Sequence, residues 1–252
     1  MPHCPHCGQE ILETASFCPA CGQAAPKLPG VTEPTTRRTT ASLPLGEYLK
    51  TGWELFKRYP GGFIGFSLVY FLIQIALGII PLLGWVANGA ISPVLLIGYF
   101  IVSAKMLQGC SPQFSDFFLG FRFFVPLLLM ALVRGLLTGI GLLFLIIPGV
   151  YLMVSYLFAA SLVVDRRLDF WPALELSRGT VNPIWFGMFG FFLLLVLVNL
   201  LGVIALFVGL LVSLPVSCCA VTAAYADLFG LQSDYSEGFP DNLAPESEIS
   251  AQ

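Results

Sequence analysis

FFVPLLLMALVRGLLTGIGLLFLIIPGVYLMVSYLFAASLVVDRR, residues 123–167, decides the fold. Two long apolar runs meet at Pro148-Gly149 and close on the charged cluster Asp165-Arg166-Arg167. At 1.5 Å per residue, about twenty apolar residues cross the hydrocarbon core of a bilayer, so this stretch reads as a helix that crosses and returns. Gly61 to Leu83 and Trp85 to Met106 form a second such pair. Ile184 to about Phe229 is long enough for a third, turning near Gly202 to Gly209. The expectation is an all-α membrane protein with six transmembrane helices in three hairpins.

Composition agrees. Hydrophobic residues make up 57% of the 252 and charged residues 11%, more apolar surface than a soluble core of this size can hide. A net charge of -3 excludes nucleic acid as a main partner, because phosphate binding needs clustered Lys and Arg. Every Lys and Arg except Arg134 falls before the first span or in the segments after spans two and four, and the three opposite turns carry no charge. By the positive-inside rule both termini are expected in the cytosol, with no cleavable signal at the polar start of the chain.

The amino terminus carries CPHCGQEILETASFCPACG, residues 4–22. Each Cys-Pro-x-Cys-Gly turn presents two thiols from one tight loop, and Cys4, Cys7, Cys18 and Cys21 together complete a tetrahedral zinc shell. In a reducing cytosol such pairs bind metal rather than form disulfides. A closed four-thiolate shell leaves no position for water, so the Zn2+ is expected to be structural, and His3 and His6 are surplus to it. The segment resembles the short zinc ribbons at the amino terminus of many bacterial membrane proteins. Expected boundaries are a ribbon at 1–22, a flexible linker at 23–44, a six-span membrane domain at 45–230 and a disordered acidic tail at 231–252.

Three amphipathic segments precede the three span pairs. Leu45 to Tyr59 places Leu45, Tyr48, Leu49, Trp53 and Phe56 at helical spacing. Ser111 to Arg122 gathers Phe114, Phe117, Phe118 and Phe121. Asp165 to Val181 has Asp169 as N-cap, with Leu168, Trp171 and Leu174 on one side. All three are expected in the membrane interface. Their starts at Leu45, Ser111 and Leu168, about 60 residues apart, point to a weak internal triplication.

Catalytic chemistry is not expected. The only histidines are His3 and His6, no carboxylate lies centrally in a span, and no HExxH helix occurs. Cys110, Cys218 and Cys219 lack metal-binding spacing and read as inert small hydrophobes. Arg134 is the one charge placed deep in a span, with Asn88, Asn199 or Asp165 as neighbours to expect; it either meets an anion inside the bundle or snorkels to the headgroups.

The string IIPGVYLMVSYLFAASLVVDRRLDFWPALELSRGTV, residues 146–181, resembles the membrane domain attached to some glycerophosphodiester phosphodiesterases and related inner-membrane families, through Pro148, Gly149, Tyr151, Asp165, Ala173, Leu174, Ser177 and Arg178. The resemblance implies an integral scaffold without the hydrolase. The expected role is therefore a non-enzymatic scaffold or regulator in a bacterial cytoplasmic membrane. Its expected partners are the lipid bilayer, a cytosolic protein at the ribbon and further copies of itself. Transport or lipid handling by the bundle is the alternative.

Overall fold

The computed structural model describes residues 43–79, 83–144, 146–205, 208–233 and 235. The chain divides into two units, Met1–Arg38 and Thr39–Gln252. The expected ribbon, its four cysteines, most of the linker and nearly all of the acidic tail lie outside the described residues.

The described residues are helical. In chain order they form α1 (Leu45–Arg58), α2 (Pro60–Gly78), α3 (Leu83–Leu107), a 3-10 segment (Phe114–Phe123), α4 (Phe124–Phe144), α5 (Ile146–Ser155), α6 (Ala159–Asp165), α7 (Phe170–Val181), α8 (Trp185–Ile204) and α9 (Leu210–Phe229). Six helical stretches are long and apolar enough to cross a membrane, the build of a multi-pass membrane protein. Their outward faces are aliphatic: Leu68, Leu72 and Ile75 on α2, Leu132, Leu136 and Leu143 on α4, and Leu197, Leu200 and Ile204 on α8 are exposed. Only hydrocarbon makes such a surface inexpensive.

The core lies where α3, α6 and α9 meet. Phe100 stands edge-on to Tyr225 (centroids 5.1 Å apart), and Tyr225 stacks on Phe229 (5.0 Å), which Phe158 meets at 5.6 Å. A second aromatic cluster joins α2, α3 and the 3-10 segment. In it Phe66 stacks on Phe117 at 4.4 Å and meets Tyr99 edge-on at 5.0 Å.

Four local expectations are corrected. Pro148-Gly149 is not the joint between the two runs. Both residues sit in the first turn of α5, which starts at Ile146, where proline needs no i−4 acceptor. The returning run is itself interrupted at Tyr156–Phe158, where Leu157 N–H turns to Val154 O (3.2 Å) and Ala159 N–H to Tyr156 O (3.3 Å). The four phenylalanines of residues 114–121 do not share a buried face. A three-residue period sets Phe118 and Phe121 on a row apart from Phe117 and Gly120, so Phe118 and Phe121 are exposed while Phe117 is buried; Phe114, on the Phe117 row but at the first residue of the segment, is exposed as well. Trp171 likewise faces outward at 55% exposure although Leu174 is buried. Asp169 does hold the N-cap position of α7, but its side chain makes no capping bond.

The three amphipathic segments pack on protein with part of their apolar residues, while Trp53, Phe114, Phe118, Phe121 and Trp171 stay exposed. Each lies along the second run of a pair. The 3-10 segment packs on α3, where a Cβ on Gly98 would run into the Phe117 carbonyl. Helix α7 packs on α5 and α6, with Ser177 Oγ donating to Ser155 O at 2.7 Å, a carbonyl at the interruption. Helix α1 packs on α9, where a Cβ on Gly52 would lie 2.8 Å from Ala220 N and Val216 O.

Candidate functional site

Three polar places among the described residues bear on function. The first lies at one end of the core, around Asp165. This carboxylate is buried at 2% exposure and accepts from Tyr225 Oη (2.8 Å), Tyr235 Oη (3.0 Å) and the N–H groups of Gln232 (3.1 Å) and Ser233 (3.1 Å). Ser233 Oγ donates back to Asp165 O at 2.5 Å. Gln108 holds the same segment from α3, donating to Ser233 O (2.8 Å) and accepting from Tyr235 N–H (3.0 Å). Gly230, at φ +72, turns the chain off α9 into this strap, a conformation glycine adopts freely. Burial, and then the Asp165 carboxylate, raise the Tyr235 phenol above its ordinary pKa. Thus residues 231–233 and 235, expected to begin a disordered tail, are bound. Sequence reading placed Asp165 in the charged cluster, at the head of the third amphipathic segment, in the resemblance pattern and as a neighbour for Arg134, but not as the acceptor for Tyr225 and Tyr235.

The second place is the line of hydroxyls between α2, α3 and α9. Ser67 and Tyr99 share a hydrogen bond at 2.8 Å, Tyr70 and Ser92 at 3.2 Å, and Ser103 and Cys219 at 3.1 Å. In the neighbouring pair, Asn199 on α8 donates to Ser217 Oγ (2.8 Å) and Leu195 O (2.8 Å) and accepts from Ser213 Oγ (3.2 Å). Here polar groups in apolar surroundings satisfy one another, which lowers the cost of burying them.

Arg134 is the third. It stands at the midpoint of α4, ten residues from either end and so about 15 Å from each. Of the neighbours expected for it, Asn199 and Asp165 are engaged as described, and among the described residues no hydrogen bond or ion pair reaches Arg134 from Asn88 or any other group. The structure therefore does not bring the expected partners together.

A zinc-ribbon domain family matches residues 3–24, a segment that contains Cys4, Cys7, Cys18 and Cys21. Four thiols in two knuckles are a donor set that fits zinc. No curated protein and no solved structure matches the chain, so the resemblance of residues 146–181 to the phosphodiesterase-attached membrane domain gains no support.

Proposed function

We propose that this chain is a non-enzymatic scaffold or regulatory protein of the bacterial cytoplasmic membrane. Its six spans form three hairpins, both termini face the cytosol, and the ribbon meets a soluble protein partner there. Cys4, Cys7, Cys18 and Cys21 hold Zn2+, which supplies the folding energy that some twenty residues cannot draw from a core of their own.

One observation carries this reading. Helix α1, the first described helix, is locked into the bundle: Tyr48 Oη donates to Asp227 at 2.6 Å, Tyr48 meets Phe191 edge-on at 5.7 Å, and Gly52 admits α9 to backbone contact. A module tethered ahead of such a helix shares its attachment to the membrane, which suits recruitment. Pull-downs from membranes with the full chain and with a Cys18→Ser variant test it. Loss of zinc together with loss of a defined partner is expected; identical partner sets would sink recruitment by the ribbon.

Transport or lipid handling is the second reading, favoured by Arg134, a cation at mid-span without a partner among the described residues.

A further inference from the structure

We infer that the α4–α5 side of the bundle contains a binding site for an oxyanion, with Arg134 as its cation and the hydroxyls of Thr138 and Ser155 as neutral donors. The inference concerns the bundle alone and stands whether or not the ribbon recruits a partner.

Arg134 lies on the inward face of α4. The residues two turns before it and one turn before it, Leu127 and Met130, are buried at 0% and 1% exposure. One turn beyond it is Thr138, and two turns beyond it Gly141, whose Cβ position would lie 3.0 Å from Gly149 Cα on α5. The opposite face carries exposed Leu129, Leu132, Leu136 and Leu143. Arg134 therefore does not point into lipid, yet it remains half-buried.

Helices α4 and α5 pack back on each other, and the Gly141–Gly149 contact sets their register. Seven residues back from Gly141 is Arg134; seven residues on from Gly149 is Tyr156, beside Ser155. Thr138 Oγ1 and Ser155 Oγ are both buried without a hydrogen-bond partner. A helical Thr or Ser in an apolar setting ordinarily bonds back to its own backbone. Two idle hydroxyls within about a turn of a guanidinium that has no partner among the described residues leave a set rich in donors, with no described carboxylate or carbonyl answering it. An oxyanion supplies the missing acceptors: the guanidinium offers its fork and the hydroxyls one bond each.

Phosphate fits this chemistry, as a phospholipid headgroup drawn between α4 and α5 or as a free ion. The test uses the full chain in a phosphate-free maltoside detergent, with thermal unfolding as the readout, titrated with inorganic phosphate or with phosphatidic acid. A rise in Tm with either probe, abolished in Arg134→Leu and moved to about ten-fold higher probe in Thr138→Val, supports the site and names its source. If Arg134→Leu does not fold, the near-isosteric Thr138→Val and Ser155→Ala decide. No rise with either probe, or a rise that all the folded variants retain, overturns it.

Discussion

The two sides of the bundle treat polar groups in opposite ways. Between α2, α3 and α9, Ser67, Tyr70, Ser92, Tyr99, Ser103 and Cys219 pair off across helices, and the rings of Phe63, Phe66, Tyr99 and Phe117 interlock around them. The Gln74 carbonyl is the exception there, buried without a partner. Between α4 and α5, Arg134, Thr138 and Ser155 have side chains that nothing described answers. The first arrangement is a structural joint. The second carries the cost of polarity without the bonds, a pattern that structural demands alone do not select.

The sharpest way to break this contrast is Gly98→Ala. The new methyl would enter the Phe117 carbonyl, which is backbone and cannot swing aside, so a loss of about 3 kcal/mol is expected in detergent unfolding, at the upper end for overpacking. A change within about 0.5 kcal/mol would mean that the 3-10 segment is not seated on α3.

Paired substitutions then sharpen it. Ser67→Ala deprives the Tyr99 hydroxyl of its partner and should cost about 1 kcal/mol. Arg134→Leu, in phosphate-free maltoside detergent, should leave Tm unchanged or raised, since it removes a mid-span charge with no described partner. Equal losses from the two would erase the distinction between the sides.

The smallest effect is expected at the strap. Because burial and Asp165 raise the Tyr235 phenol, the released strap gives up that proton before the docked one does. Docking is then at full strength below pH about 10, the ordinary tyrosine value, and weakens as pH rises beyond it. Hydrogen exchange at the Gln232 and Ser233 amides reads this directly. Tyr235→Phe should exchange faster at neutral pH and lose the alkaline step; an unchanged step would assign it to another group.

Much of the architecture was legible because length and apolarity set it. The six spans, the turn between Gly202 and Gly209 and the helical nature of Leu45 to Arg58 follow from runs that only hydrocarbon tolerates. The places where reading failed depend on a partner's position. Pro148 looks like a breaker, but one residue of register decides whether it ends a helix or opens one. Phe118 and Phe121 look like core at a 3.6-residue period and turn outward at a period of three. Of the candidate sites, the four cysteines are set by spacing within one segment, and the matching ribbon family covers them. The neighbours of Arg134 depend on packing between helices, and two of the three expected ones are occupied elsewhere.

The contact of α1 with α9 also sets a timetable. Tyr48 and Asp227 are 179 residues apart, so the first helix of the bundle is made long before the surface that covers Tyr48, Gly52 and Leu55 exists. Throughout synthesis that face must wait against lipid, a chaperone or the insertion machinery, and the ring of helices shuts only once α9 has been delivered. A ribosome stalled before Asp227 would therefore leave an open bundle with an exposed aromatic edge, the form that membrane quality control is equipped to remove.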